Sequence, residues 1–282
     1  MPYFCCDGAK FYYELVGIGP VVVFTHGLSG DLEQCRELIG ELRNNSLLLW
    51  DARGHGRTVS LDHTEPFSFA QFARDLHALL SYLGITRAVF GGVSMGAGVA
   101  ARVAIDWPSL AAGLILVRPA WLDHGSPEAL LPYELIAGFL EKYGSTDGRR
   151  HFEQTTEYAA MLRSDPVACA SFCEQFGKVQ AVERAGRLRE MPQSCPIRHW
   201  EEVDTLEIAS LVVGCEADFV HPFSYAIEWA NRLRRSQLVQ VPPKSAGTSR
   251  HNQAVQSAVT YFLGSLTQHR MEESRSVTVR TE

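Results

Sequence analysis

The sequence lacks the features that mark membrane, exported or nucleic-acid-binding proteins. No uncharged apolar run approaches the roughly 18 residues that a transmembrane helix needs. The first residues carry neither the basic region nor the apolar region of a signal peptide. The formal net charge is −6, and no basic stripe stands out that could neutralise nucleic-acid phosphates. We therefore expect a cytoplasmic protein that binds neither nucleic acid nor a membrane.

Recognisable metal, phosphate and carbohydrate motifs are also missing. The seven cysteines are an odd number, scattered along a chain whose 282 residues can bury a large core without cross-links. Cys169 and Cys173 are four residues apart on a predicted helix, but no further candidate ligands lie near them in the sequence. There is no Gly-Lys-Ser/Thr phosphate loop and no carboxylate pair typical of glycosidases. We predict no metal, no cofactor and a small-molecule substrate; a homodimer is left open.

Residues 89–98 carry the strongest local pattern. A predicted strand over 87–91 leads to a predicted helix over 97–105, and Gly92, Ser94 and Gly96 between them match G-x-S-x-G, the nucleophile elbow. The glycines are needed because larger side chains two residues from the serine would collide around its strained backbone. The pattern predicts that Ser94 is a nucleophile.

Strands and helices alternate on both sides of this motif. Predicted strands cover residues 2–6, 9–16, 21–25, 47–50, 112–118, 209–214 and 237–241, and predicted helices cover 31–43, 69–83, 222–234 and 253–266. Such alternation predicts an α/β fold with a doubly wound, mainly parallel sheet. Between Pro119 and about Val203 the pattern is helical only. We predict a core of residues 1–118 and 204–266, a helical lid over 119–203 and a disordered tail over 267–282.

A nucleophilic serine needs a base, and the base needs an acid to orient it. In this topology the partners follow in the order serine, acid, histidine, each in a loop after a later strand. Asp218 lies four residues past the predicted strand 209–214, and His251 lies ten residues past the strand 237–241. The order predicts that Ser94, Asp218 and His251 form the catalytic triad.

Other residues compete for the acid and base roles. Glu216 is two residues before Asp218, and Asp123 follows the preceding predicted strand, so each is an alternative acid. His221 is a weaker base candidate because it lies so near Asp218 in the sequence, and His269 is weaker because it lies in the predicted tail.

Stabilisation of an oxyanion needs backbone amides near the serine. His26 and Gly27 end a predicted buried strand where one donor should lie. We predict that the amides of Leu28 and Met95 bind the oxyanion, each worth about 3 kcal/mol in the transition state. His26 is predicted to brace the turn while the neighbouring amide takes part in the chemistry.

Taken as a set, these residues resemble the α/β-hydrolase superfamily. The resemblance rests on His26-Gly, Asp51-x-Arg-Gly-x-Gly, Gly92-x-Ser-x-Gly, Gly214-x-x-x-Asp218 and the late His251, and it spans about 10–118 and 205–266. It implies an eight-stranded sheet, a Ser-His-Asp triad and a helical lid after the sixth strand. Within the superfamily the chain is similar to the group of enol-lactonases, small carboxylesterases, cofactor-free haloperoxidases or perhydrolases, and carbon–carbon hydrolases.

The predicted function is that of a serine hydrolase. It would cleave a carboxylic ester or lactone of a small, partly apolar substrate through an acyl-enzyme on Ser94. Three alternatives stay open: a carbon–carbon (diketone) hydrolase, a thioesterase, and a non-hydrolytic enzyme or ligand receptor on the same scaffold.

Overall fold

A mainly parallel sheet forms the centre of the molecule. The computed structural model describes residues 2–60 and 66–278, with side chains through residue 268. The strands are β1 Tyr3–Cys6, β2 Ala9–Val16, β3 Val21–Thr25, β4 Ser46–Trp50, β5 Val59–Ser60, β6 Ala88–Val93, β7 Ala111–Val117, β8 Ser210–Gly214 and β9 Ser236–Gln240. Eight follow the order β1-β2-β4-β3-β6-β7-β8-β9, and the two-residue β5 pairs with β2. The strands from β4 to β9 along this order are parallel, which confirms the predicted fold class.

Helices cover both faces of the sheet. They are α1 Leu32–Ile39, α2 Phe69–Tyr82, α3 Met95–Asp106, α4 Leu131–Phe152, α5 Thr156–Ser164, α6 Pro166–Cys173, α7 Gly186–Gln193, α8 Glu201–Asp204, α9 Phe223–Arg232 and α10 Thr248–Thr278. Alternate residues of a strand point to opposite faces, so Val23 packs in the cluster with α2, α3 and α9. Val22 and Phe24 pack in the other cluster, with α1 and α10. Both faces of the central strands are therefore buried.

Helices α4–α8 form one continuous insert between β7 and β8. Its first long helix is broken at Gly144, whose φ of 75° is outside the helical range. The predicted helical segment over 119–203 falls on this insert, and its role as a lid stays a prediction.

The last helix is longer than the sequence pattern indicated. Its backbone continues to Thr278, past residue 266 and into the predicted tail. Residues 267–278 contain neither glycine nor proline, so no strong helix breaker interrupts them. Residues 279–282 of the predicted tail lie outside the described range. No helix in the described part of the chain is long and apolar enough to span a membrane.

The strand order determines where the site lies. Strands β3, β6, β7 and β8 are neighbours and run parallel, so their carboxyl ends meet at one edge. Ser94, Arg118 and Asp218 all lie just beyond these ends. Ligands of open α/β sheets bind at this edge.

Candidate active site

Ser94 stands at a sharp turn between β6 and α3. Its φ of 56° and ψ of −114° lie in a region that L-residues rarely adopt, which stores strain at this position. A Cβ on Gly96 would lie 1.9 Å from the carbonyl oxygen of Thr25, and one on Gly92 would lie 2.2 Å from the carbonyl carbon of Gly96. Glycine at both positions lets α3 begin in close contact with β6 and β3. The turn thus has the geometry of a nucleophile elbow.

Ser94 faces a cavity of about 80 Å³ between the sheet edge and the insert. Asp218, His221, Arg118 and Lys244 line the same cavity. Tyr133 and Phe172 contribute apolar surface from α4 and α6. With Asp165 from the insert, the cavity combines the Ser94 hydroxyl, an imidazole, two carboxylates and two cations with an aromatic wall.

Asp218 makes a dense set of hydrogen bonds. Its Oδ1 accepts the backbone amides of Val220 and His221, both at 3.1 Å. Its Oδ2 accepts Nη1 of Arg118 at 2.9 Å. Burial alone would raise the pKa of the Asp218 carboxyl, but His221 and Arg118 outweigh burial and hold this pKa well below its ordinary range. Asp218 is therefore a carboxylate in a fixed orientation.

His221 is the histidine that Asp218 holds. Its Nδ1 lies 2.9 Å from Oδ1 and 3.0 Å from Oδ2 of Asp218. Because a carboxylate only accepts hydrogen bonds, the ring proton is on Nδ1. Burial lowers the pKa of His221, and Arg118 lowers it further against the opposing effect of Asp218. The ring is thus neutral near pH 7. Its Nε2 is buried and has no hydrogen-bond partner within the described residues, so this nitrogen is available as a proton acceptor.

The structure does not give His251 the position that the sequence suggested. His251 is fully buried in the first turn of α10, and its Nδ1 donates to the carbonyl oxygen of Pro242 at 2.7 Å. It is not among the residues that line the cavity around Ser94. Burial, with Arg118 and Lys244, lowers the pKa of His251 to about 4. The structure pairs Asp218 with His221 and His251 with the carbonyl of Pro242, and each ring leaves a buried Nε2 without a partner among the described residues. The use of His251 as the base stays a prediction.

The physical reason lies at the start of α10. The sequence pattern predicts a helix from residue 253 with His251 in the loop before it, but α10 begins at Thr248. The late-loop residues that reach the cavity are instead Lys244 and Ser245. The sequence analysis ranks His221 below His251 because only three residues separate it from Asp218. The Asp218 side chain accepts the amides two and three residues further on, and an Asx turn of this kind is the signal that favours His221.

The alternative acids do not line this cavity. Glu216 is exposed, and Asp123 pairs with the neighbouring His124 at 3.2 Å. The other base candidate, His269, lies outside the residues whose side chains are described.

The predicted oxyanion donors lie on two sides of Ser94. Met95 is the first residue of α3, so its amide has no carbonyl one turn earlier in the helix to bind. Leu28 lies between Gly27 and Ser29, which both line the cavity. The use of the Leu28 and Met95 amides in catalysis stays a prediction.

His26 is placed where it can brace the loop after β3. Its Nδ1 donates to the carbonyl oxygen of Gly27 at 2.8 Å, and its Nε2 accepts the amide of Ala52 at 3.0 Å. Burial lowers the pKa of His26, which favours the neutral ring that this pattern requires. The ring thereby ties the loop after β3 to the loop after β4.

No group of three or more His, Cys, Asp or Glu side chains within the described residues is arranged to hold a metal ion. Cys169 and Cys173 are buried free thiols.

Comparison with known proteins agrees with the fold. The model of the Alpha/beta hydrolase family matches residues 22–255. A provisionally named non-heme chloroperoxidase of Synechocystis sp. is 33% identical over 257 residues, which cover 82% of this chain and 86% of that protein. The non-heme haloperoxidase of Rhodococcus erythropolis is 32% identical over 141 residues, 48% of this chain and 51% of that protein. The chain thus matches only about half the length of several curated relatives.

Solved structures show the same fold at lower sequence identity. The enol-lactonase from Burkholderia xenovorans LB400 aligns with a TM-score of 0.69 at 21% identity and covers 94% of this chain and 98% of its own. A thermophilic esterase from Thermogutta terrifontis gives a TM-score of 0.69 at 22% identity, with coverage of 92% and 94%. The matched range includes both the strand–turn–helix at Ser94 and the loop of Asp218. The chain belongs to the alpha/beta hydrolase family.

Proposed function

We propose that this chain is a serine hydrolase that cleaves a carboxylic ester or lactone. Ser94 is the nucleophile, His221 the general base and Asp218 the acid that orients the base. The observation that carries the proposal is the imidazole of His221, held by Asp218 and presenting an unpartnered Nε2 in the cavity that Ser94 faces.

The proposed reaction has two steps with one acyl-enzyme. Ser94 Oγ attacks the carbonyl carbon while His221 Nε2 takes the hydroxyl proton, and the amides of Leu28 and Met95 receive the developing oxyanion. His221 then protonates the leaving alkoxide. Water, deprotonated by the same nitrogen, attacks the acyl carbon and releases Ser94.

Arg118 modifies this arrangement. Its guanidinium keeps Asp218 ionised and in place through the bond to Oδ2. The same positive charge lies near the imidazolium that forms during the reaction and lowers the pKa of His221. We therefore expect His221 to be a weaker base than a histidine that is paired with an aspartate and has no arginine nearby. The enzyme should accordingly become active at a lower pH.

The names of two relatives favour a second candidate that uses the same residues. Both are named as non-heme haloperoxidases or chloroperoxidases. In that reaction hydrogen peroxide would replace water in the second step, and the acyl-enzyme would yield a peracid and free Ser94. Adding peroxide to the assay tests this candidate directly.

Repeated turnover of simple esters is the expected result of the first experiment. p-Nitrophenyl acetate and butyrate, a lactone, a thioester and a vinylogous diketone would be compared under the same conditions. Ester or lactone turnover well above the rate for the diketone supports the proposal. A single burst, with a large ligand-induced rise in Tm and no further product, would show a receptor instead.

Lys244 indicates a substrate that carries a negative charge. It lines the cavity, and no carboxylate lies within 4.0 Å of its ammonium group in the described part of the chain. The nearby Asp165 already accepts the amides of Ala168 and Phe219. Burial, with the charge of Arg118, lowers the pKa of Lys244 to about 8. The ammonium is still mostly charged at pH 7 and is available to a substrate carboxylate.

Lys244→Met should therefore discriminate between two related esters. We expect kcat/KM for monoethyl succinate to fall by about tenfold, because one hydrogen bond to a charged group is lost, while diethyl succinate is hydrolysed at an unchanged rate. In the wild type the preference for the charged ester should decline as pH rises through about 8, where Lys244 loses its proton. Equal losses for both esters would rule out this recognition role.

A further inference from the structure

A second cavity, of about 210 Å³, lies between the core and the helical insert. Its charged lining residues are Asp31 and Arg57 from the core and Lys178, Arg184 and Arg187 from the insert. Four of these five side chains are cationic, so the cavity has a marked excess of positive charge. The proposed reaction at Ser94 uses none of them.

Arg187 is the most unusual of these cations. The residue is 3% exposed, and its Nη2 donates to Gln175 Oε1 at 2.8 Å. Its Nε is buried and has no partner among the described residues. Burial lowers the pKa of Arg187 to about 10, and it remains charged at pH 7. A buried guanidinium costs free energy unless a negative group balances it, and no carboxylate of the described residues lies within 4.0 Å of it.

The other two cations of the insert also have no carboxylate within 4.0 Å in the described part of the chain, and Asp51 and Glu183 act on Arg184 only from a longer distance. Arg184 donates to the carbonyl oxygens of Gly56 at 2.9 Å and Thr58 at 3.0 Å, which are neutral acceptors. Lys178 lines the cavity with no carboxylate within 4.0 Å in that same part. Of the core residues, Arg57 is balanced by Glu14 and Glu33 at 3.7 Å.

We propose that this cavity binds a phosphate-type oxyanion. Guanidinium groups match the oxygens of phosphate in geometry, and a doubly charged anion would balance the excess of cations. One water molecule needs roughly 10–15 Å³ of such space, so the cavity has room for a phosphoryl group with a small organic substituent. Free phosphate and a phosphomonoester carry the same phosphoryl oxygens, so both are sources of this anion.

An anion at this position would join the insert to the core. Lys178, Arg184 and Arg187 lie on one side, and Arg57 lies on the other. Arg187 is also connected to the catalytic cavity, since Gln175 bonds both Arg187 and the carbonyl oxygen of Ser29. Ser29 lines the cavity around Ser94. Binding should therefore stabilise the insert and the loop that precedes α1.

Calorimetric titration of the full chain, in a buffer free of phosphate, tests the proposal. The probes are inorganic phosphate and glycerol 2-phosphate. Lys178→Gln removes one cation of the cavity without breaking a side-chain hydrogen bond or ion pair of the described residues, and Lys142→Gln makes the same charge change at an exposed position of α4. We expect saturable binding by the wild type and by Lys142→Gln, and a Kd about fivefold to tenfold higher for Lys178→Gln.

The outcomes separate the two sites and the two sources of phosphate. Tighter binding of glycerol 2-phosphate than of phosphate identifies a phosphomonoester as the ligand, and the reverse identifies free phosphate. Affinity that falls in Lys244→Met but not in Lys178→Gln would place the anion in the catalytic cavity and overturn the proposal. Absence of saturable binding at millimolar concentrations would overturn it as well. Because titration does not depend on turnover, failure of the proposed hydrolase activity would leave this result unaffected.

Discussion

Replacing His221 by glutamine should lower kcat/KM for a hydrolysed ester by roughly 10⁴-fold or more, because the reaction loses its general base. Glutamine keeps a polar side chain of similar length, so the hydrogen bond to Asp218 has a replacement donor. The matched variant is His251→Gln, which changes another buried histidine close to the site. We expect it to keep kcat/KM within an order of magnitude while its Tm falls, since the hydrogen bond to Pro242 is weakened.

The pH profile gives a second, independent readout. A base must be unprotonated, so kcat/KM rises with pH through the pKa of His221 in the free enzyme. Burial holds that pKa below the ordinary 6.5, so the midpoint of the rise should lie below pH 6.5, and the rise should be missing in His221→Gln. If His251→Gln loses turnover and His221→Gln retains it, the base is His251 and the loop differs in the working enzyme.

Ser94→Ala should remove turnover altogether, by about 10⁶-fold, as loss of a catalytic serine does in other hydrolases. Alanine leaves the backbone of the elbow as it is, so Tm should stay close to that of the wild type. A fluorophosphonate should label the wild type on the peptide that contains Ser94 and leave Ser94→Ala unlabelled. The control is Ser257→Ala, an exposed serine on α10, which should be labelled and active like the wild type.

The residual activity of Ser94→Ala and the labelling of the wild type show whether Ser94 is the nucleophile. If Ser94→Ala still hydrolyses esters at a substantial rate, the reaction does not pass through an acyl group on Ser94. If the wild type resists labelling but turns over esters, Ser94 lacks an activated hydroxyl. Either result would require a different nucleophile in the cavity.

The sequence contained most of what defines the fold. The alternation of apolar strand-length runs with amphipathic helices predicted the parallel sheet, because each pattern reports which faces are buried. G-x-S-x-G located the strand-to-helix turn at Ser94, because larger side chains in place of its two glycines would collide with the neighbouring backbone. The loop of Asp218 followed from its place after β8. These features depend on short stretches of sequence.

The parts that could not be predicted depend on how distant segments meet. Nothing around His251 shows that α10 begins at Thr248 and buries that ring. Arg118 directly follows β7, yet its bond to Asp218 joins residues 100 positions apart. The unbalanced cations of the second cavity likewise become visible only when the insert is placed against the loop of residues 54–57.

The contact between Gly96 and Thr25 has a consequence for how this chain can evolve. A methyl group at position 96 would overlap the carbonyl oxygen of Thr25 at 1.9 Å, so the end of β3 and the start of α3 share a fixed separation. Leu28 follows one of these elements and Met95 opens the other. Substitutions in the insert can therefore alter the lining of the cavity without changing the spacing between the two amides.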